Sequence, residues 1–196
     1  MSRIISHFTV NIMGLRAQAL LLIVTALPML SAHAALKTDL GKSSVSATFK
    51  QMNVPLDGKF KKFTATIDFS ATKLESSKAA VEIDMSGFDL GDPEFNKEVL
   101  KKEWFHAAQY PRASFTSTSI KPTAGGKFEV QGKLTMKGKV IDVAFPLSVK
   151  SEAGGLTFDG TLPIKRLSFN IGEGDWKDTS MVADEVVIKF HIVTTP

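Results

Sequence analysis

The sequence predicts an all-β protein, an extended antiparallel up-and-down barrel of about eight strands with one short helix. Apolar and polar residues alternate with a period of two over most of the chain beyond residue 44, and this period is typical of strands that bury one face. Glycine-containing turns separate the alternating runs, as in hairpins with short connections. The polar faces also carry many charges, which favours a barrel whose apolar faces point inward.

The run from 63 to 69 shows the alternation most clearly. Phe63, Ile67 and Phe69 fall on one face of this run, and Thr66 falls on the other. The remaining strands are predicted at 45–49, 81–85, 128–136, 141–149, 156–164, 167–171 and 182–193, with a weaker one from Ala113 onward. Hairpin turns are predicted at Asp57-Gly58, Gly125-Gly126, Lys137-Gly138 and Gly154-Gly155.

A membrane-spanning barrel would carry the same alternation with its apolar band outside. The polar faces decide between the two arrangements, because charged side chains on a lipid-facing wall cost up to about 2–4 kcal/mol each. The charged positions on these faces are Lys61, Asp68, Glu82, Asp84, Glu129, Lys133 and Lys189. We therefore expect the charges in water and the apolar faces inside.

One segment breaks the strand rhythm and predicts a helix. Asp92 is a capping residue directly before Pro93, which suits the first helical position. Phe95, Val99 and Leu100 then recur at helical spacing. The predicted helix runs from residue 93 to about 105, and the segment 172–180 is predicted to be a loop with short helical turns.

The first 34 residues are predicted to be a cleaved signal peptide. Arg3 and Arg16 precede an apolar run from 17 to 30, and the segment ends on a small-x-small site at Ala34. The apolar run is shorter than the roughly 20 residues that span a bilayer. Residues 35–196 are then predicted to form one exported domain, and the lack of any Cys excludes disulfides and a thiol-linked lipid.

The charges and the chemically reactive residues argue against several function classes. Removal of Arg3 and Arg16 leaves 22 basic residues against 20 acidic ones, too balanced for a nucleic-acid binder. Beyond residue 34 the only histidines are His106 and His191, and the chain has no Cys. We therefore expect no metal site, no cofactor and no catalysis. Glu94 and Glu98, one turn apart among lysines, are interpreted as surface ion pairs.

The aromatic composition leaves two interiors open. The chain has 14 Phe but only one Tyr and two Trp. Phe supplies apolar area without needing a hydrogen-bond partner, and an eight-stranded barrel is near the size at which the interior is either filled or holds one ligand. Composition and spacing therefore predict either a solid core or a cavity for a hydrocarbon chain.

Several motifs, taken in order and spacing, resemble the YceI-like family over the whole segment from 35 to 196. Two of them, W-F…Y-P…F-x-S and G-x-L-T-x-x-G, are fairly specific in combination. The resemblance rests on Glu103–Phe105, Tyr110–Ser117, Gly132–Gly138, Ile164–Phe169, Gly172–Thr179 and Val182–Val186. It implies an extended lipocalin-like barrel in the periplasm with an isoprenoid, quinone-like or fatty-amide chain in its lumen.

On this basis the sequence predicts a periplasmic carrier of a long apolar lipid, with Trp104 and Phe105 closing one end of the barrel. The alternative is a solid-cored interaction protein that acts on a membrane partner, for instance a b-type cytochrome. A transient inner-membrane contact and a homodimer are left open. The residues predicted to line the lumen are Phe49, Phe63, Ile67, Phe69, Val81, Ile83, Met85, Trp104, Phe105, Phe115, Phe128, Leu134, Phe145, Phe158 and Phe169.

Overall fold

The structure is a computed structural model that describes residues 36–152 and 154–195; the predicted signal peptide lies outside these ranges. The described residues form one α-helix, α1 (Pro93–Glu98), and eleven strands. The strands are β1 (Lys37–Thr38), β2 (Ser44–Gln51), β3 (Val54–Phe60), β4 (Phe63–Asp68), β5 (Lys78–Asp84), β6 (Phe88–Asp89), β7 (Arg112–Pro122), β8 (Phe128–Met136), β9 (Lys139–Glu152), β10 (Gly155–Lys165) and β11 (Val182–Thr195). In this part of the chain, no helix is long and apolar enough to cross a membrane.

The strands form one curled antiparallel sheet. Their spatial order is β4-β5-β7-β8-β9-β10-β11-β2-β3-β6, with β1 beside β11. Most neighbours in space are also neighbours in sequence, so the predicted up-and-down arrangement is confirmed. The strand number exceeds the prediction because β3 was not foreseen and because β1 and β6 have only two residues each.

The connection between β3 and β4 closes the curled sheet. β3 pairs with β2, whereas β4, which follows after Lys61 and Lys62, pairs with β5. The chain therefore passes from one edge of the sheet to the other within two residues. The short strand β1 bridges the remaining gap, since it pairs with β11 and the Leu36 amide donates to the Ile67 carbonyl at 2.8 Å.

The apolar faces point inward, as predicted. Ile67 is 6% exposed, whereas its neighbour Thr66 is exposed on the outer face. Of the seven charged positions that decided the orientation, five are exposed, and Asp68 and Asp84 are half-buried. The core extends along the whole barrel axis, from Val45 and Leu147 at one end to Phe88 and Ile171 at the other.

The predicted turn at Asp57-Gly58 is wrong, since both residues lie inside β3. The β2–β3 turn is formed instead by Met52 and Asn53, whose φ angles are 49° and 65°, as a tight two-residue hairpin requires. Gly58 is needed for packing and not for a turn. A Cβ at this position would lie 2.1 Å from the Phe88 ring, so the glycine lets that ring pack directly on the strand backbone.

The helix prediction was correct at its start and wrong at its end. The Asp92 carboxylate accepts hydrogen bonds from the Glu94 and Phe95 amides, as a helix cap does. The helix ends at Glu98 and not near Phe105. On a straight helix, Trp104 and Phe105 would point roughly 140° and 240° away from Val99. All three residues line the same cavity, so the chain has to leave the helix between them.

The strand predicted at 167–171 is also wrong. Residues Arg166–Phe169 form a short 3₁₀ turn, which ends at Asn170 with a φ of 57°. The buried Arg166 side chain donates to the Ile171 and Gly172 carbonyls. These bonds fold the chain back on itself and prevent it from continuing as a strand. The helical turn predicted within 172–180 is confirmed at Gly174–Lys177.

Candidate ligand-binding lumen

The barrel encloses two apolar cavities that follow one another along its axis. The wide chamber has a volume of about 120 Å³ and lies in the half of the barrel nearer the β7–β8 turn. The end chamber, of about 70 Å³, lies in the half nearer the β8–β9 turn. Phe60, Met136 and Ile188 line both chambers and form the constriction between them.

The structure brings most of the predicted lumen residues together. Nine line the wide chamber: Ile67, Phe69, Val81, Ile83, Met85, Phe115, Leu134, Phe145 and Phe158. Phe49, Trp104 and Phe105 line the end chamber. The remaining three predicted residues, Phe63, Phe128 and Phe169, line neither chamber.

These three rings pack elsewhere in the barrel. Phe128 lies edge-to-face against the lining residue Phe69, with ring centroids 5.2 Å apart. Phe63 is half-buried against the core. Phe169 is only 1% exposed and is buried in the 166–169 turn. Alternation placed each of them on an apolar face, but it does not tell whether a residue on that face borders a cavity.

Several wall residues were not predicted although the sequence carries a signal for them. Ile188, Phe190 and Ile192 alternate along β11, and all three line the wide chamber. A second signal is a glycine at an inward position of a strand. A Cβ on Gly160 would lie 2.2 Å from the Phe190 ring, so this glycine makes room for the ring inside the barrel.

The chambers are small and apolar. Engineered apolar cavities of about 150 Å³ stay dry and take up a benzene-sized molecule, and the wide chamber is of that order. The only hydroxyl-bearing residue on its wall is Ser114. A ligand there would be held by burial of apolar surface, which contributes about 25 cal/mol per Å².

A buried arginine organises the far end of the barrel. Arg166 lines the end chamber and is 2% exposed. Its guanidinium donates from Nε to Ala183, from Nη1 to Ile171 and Gly172, and from Nη2 to Trp176 and Val182. Burial lowers the pKa of Arg166 and the charge of Asp184 opposes that shift, but an arginine stays protonated in proteins.

The segments 99–110 and 170–181 together form an end cap over the end chamber. Lys137, at the β8–β9 turn, has a side chain that is 5% exposed. Its ammonium donates to the Lys102 carbonyl, the Asn170 carbonyl and the Glu173 carboxylate at 2.7, 2.6 and 2.9 Å. Lys137 therefore ties both segments of the end cap to the barrel wall.

The Lys137–Glu173 pair predicts a pH dependence of stability. The hydrogen bond from Lys137 lowers the pKa of Glu173 below its ordinary value. A lowered pKa contributes stability that is present above the unfolded-state value and is lost as pH falls through the folded-state value. We expect Glu173→Gln to lower the urea midpoint at pH 7, and the difference from the parent to shrink toward pH 3.

Glu75→Gln is the matched control, because Glu75 is exposed at the opposite end of the barrel. Its midpoint should follow the parent at both pH values. If the urea midpoint of Glu173→Gln lies below that of the parent by the same amount at pH 7 and pH 3, the carboxylate charge does not stabilise the end cap.

His191 and the acidic residues of α1 form ion pairs on the surface. His191 contacts Asp159 on the outer face of the barrel, with Nδ1 and Oδ1 2.6 Å apart. Glu94 pairs with Lys97 and Glu98 pairs with Lys101, so both are surface ion pairs as predicted. Among residues 36–152 and 154–195, no three His, Asp or Glu side chains gather in a way that could hold a metal ion.

Comparison with known proteins agrees with this architecture. A family model described as the YceI-like domain matches residues 36–194. A UPF0312 protein of Pseudomonas savastanoi pv. phaseolicola is 33% identical over 131 residues, which cover 63% of this chain and 68% of that protein.

Two solved structures are also similar. The crystal structure of Burkholderia cenocepacia BcnA has 53% sequence identity and a TM-score of 0.79, and the match covers 81% of this chain and all of that one. A polyisoprenoid binding domain from Saccharophagus degradans has 17% identity and a TM-score of 0.63, covering 83% of this chain and 99% of that one. At that identity the second likeness shows the fold alone.

Proposed function

The chain belongs to the YceI-like family, and from that premise we propose that it is a periplasmic protein that binds a long apolar lipid inside its barrel, without catalysis. The observation that carries the proposal is the pair of apolar chambers aligned along the barrel axis. A chain-like molecule fits this arrangement better than a compact one, because the two volumes are joined end to end through a narrow constriction.

Binding of a long chain requires the chambers to enlarge. Together they are smaller than the roughly 300–1,000 Å³ of a drug-sized pocket. The constriction contains Met136, and Met85 lines the wide chamber; unbranched, flexible methionines repack readily. Rotation of these side chains and of the Phe rings would join the two chambers into one channel.

The candidate ligands are isoprenoid, quinone-like and fatty-amide chains. Polyisoprenoid binding is named for the Saccharophagus degradans domain, which has the same fold. The family supplies this ligand class as a candidate, and the apolar walls are compatible with it. Quinone-like and fatty-amide chains share the apolar tail and differ only in their polar heads.

One experiment tests both export and binding. The full chain is expressed with its N-terminal segment, recovered from the periplasm and analysed by native mass spectrometry. We expect the polypeptide to begin at Ala35, next to the small-x-small site, and to carry a hydrophobic passenger that organic extraction releases. Retention of residues before Ala34 would contradict export by a cleaved signal peptide, and an unliganded polypeptide would contradict lipid carriage.

The second candidate is an interaction protein with a solid core. The small volume of the chambers favours it, and so does an exposed apolar group at the capped end of the barrel. Met52 and Met181 are 72% and 44% exposed, and the Met52 amide donates to the Met181 carbonyl. Such a protein would be recovered without any passenger and would act through these loops on a membrane partner.

A further inference from the structure

Strands β9 and β10 are paired over only part of their length. Their pairing runs from Gly155 opposite Glu152 to Gly160 opposite Leu147 and ends there. Residues 139–146 of β9 and 161–165 of β10 continue without pairing to each other, and we call this part of the barrel wall the seam. An outer groove of about 350 Å³ lies along the seam, and residues of both strands line it.

Two prolines explain why the pairing ends. If the register continued, Pro146 would lie opposite Thr161, and Pro163 would lie opposite Ala144. Proline has no backbone N–H and therefore interrupts a ladder of hydrogen bonds. Pro146 stays paired with β8 and Pro163 with β11, so the N–H that each proline lacks would have faced the seam.

Two side chains of β10 lie between the outer groove and the chambers. Leu162 lines both the groove and the wide chamber, and Ile164 lines both the groove and the end chamber. Between residues 139–146 and 161–165, the ladder that would hold the two strands together is absent. Rotation of Leu162 and Ile164 would therefore connect the chambers with the outer groove.

Both ends of the barrel are closed by packed groups. The end cap, which Arg166 and Lys137 hold in place, covers one end. Toward the other end, the Phe69 ring packs against the rings of Phe128 and Phe158, with centroids 5.2 and 5.5 Å apart. These three rings belong to parts of the sheet that are not neighbours, so they meet across the lumen. A chain that entered by either end would have to displace these contacts.

We propose that the apolar lipid enters and leaves the chambers sideways, through the seam between β9 and β10. This inference rests on the proposed function and specifies the route that the ligand takes. Ile141 and Val143 of β9 line the outer groove and offer apolar contact to a chain on its way in. Leu162 and Ile164 are the gate residues of this route.

The rates of binding test the route separately from the affinity. The probe is retinol, an isoprenoid alcohol whose fluorescence rises in apolar surroundings, and stopped-flow fluorescence gives its entry and exit rates. An obstacle on the route changes both rates by the same factor. It leaves the dissociation constant unchanged, because an equilibrium depends only on the free and bound states.

Two exposed alanines provide a matched pair of obstacles. Ala144 lines the outer groove, whereas Ala80 lies on the outer face of β5. Ala144→Trp places a ring over the seam and should slow both entry and exit by roughly tenfold, which corresponds to about 1.4 kcal/mol in the barrier. Ala80→Trp adds the same ring elsewhere and should leave both rates at the value of the parent.

The opposite change tests the gate. Leu162→Ala removes a gate side chain and should raise the entry rate several-fold. Leu134→Ala is the control, because Leu134 also lines the wide chamber but is paired on both sides, with β7 and β9. Both variants lose the same atoms from the chamber wall, so a difference between their entry rates reports on the seam. Thermal unfolding verifies that each is folded.

The possible failures can be told apart. If retinol does not bind to the parent, the proposed function itself is contradicted. Equal rates for Ala144→Trp and Ala80→Trp, or equal entry rates for the two leucine variants, would overturn the route through the seam and leave lipid binding in place. A weaker affinity of Ala144→Trp with an unchanged entry rate would also overturn it, since the outer groove would then be part of the binding site and not its entrance.

Discussion

Replacement of Arg166 by methionine is expected to lower the free energy of unfolding by about 3–5 kcal/mol. Methionine keeps an unbranched apolar side chain out to about the position of Nε but removes all five N–H donors. The carbonyls of Ile171, Gly172, Trp176 and Val182, together with that of Ala183, then lose their partners. The end cap has to open to water to satisfy them, which exposes the end chamber.

Arg112→Met is the matched control for this substitution. Arg112 is exposed and pairs with Glu82 at 3.2 Å, and an exposed ion pair contributes about 0–1 kcal/mol. Urea unfolding at pH 7 measures the stability of both variants. Similar midpoints for the two would show that the carbonyl contacts of Arg166 are not needed to hold the end cap.

The second large effect is expected at Ile67, where aspartate places a carboxylate on the wall of the wide chamber. Ile67 is 6% exposed, and no Lys, Arg or His side chain lines the chamber. Ile67→Asp should lower the free energy of unfolding by several kcal/mol. The adjacent Thr66 is exposed, so Thr66→Asp should change the free energy of unfolding by about 0.5 kcal/mol or less.

Chemical denaturation of both variants measures the difference directly. The two substitutions introduce the same charge one residue apart on the same strand, so they differ in the face they occupy. Equal denaturation midpoints would contradict the inward orientation of the apolar face of β4.

The strand faces could be predicted from the sequence because burial on one side of a sheet imposes a period of two. Ile67, Phe115 and Phe158 follow that period and line the wide chamber. The period also continues through Leu162, Ile164 and Arg166, all of which are buried. The signal for a buried arginine was therefore present, but its five carbonyl partners lie between residues 171 and 176 and at the start of β11, where no local pattern around Arg166 points to them.

Local rules failed where tertiary packing decided the structure. Asp57-Gly58 has the composition of a tight turn, yet Gly58 lies in a strand because the Phe88 ring needs the space. The spacing around Val99 continued a helix that the chain abandons, so that Trp104 and Phe105 reach the end chamber. Both outcomes depend on residues distant in sequence, which no local pattern contains.

Two consecutive alanines in β5 allow a matched test of whether an apolar chain occupies the wide chamber. Ala79 lines that chamber, whereas Ala80 is exposed on the outer face. Ala79→Phe should fill the chamber with a ring, and Ala80→Phe should add the same ring outside it. Thermal unfolding of both variants verifies that each is folded.

The deciding measurement is the amount of lipid that organic extraction releases per mole of each folded variant recovered from exporting cells. We expect Ala80→Phe to carry as much lipid as the parent. Ala79→Phe should carry roughly tenfold less lipid, because a ligand beside the added ring would overpack the chamber at a cost of about 1–3 kcal/mol. Equal lipid in the two variants, or none in the parent, would contradict the claim that the barrel holds an apolar chain in its wide chamber.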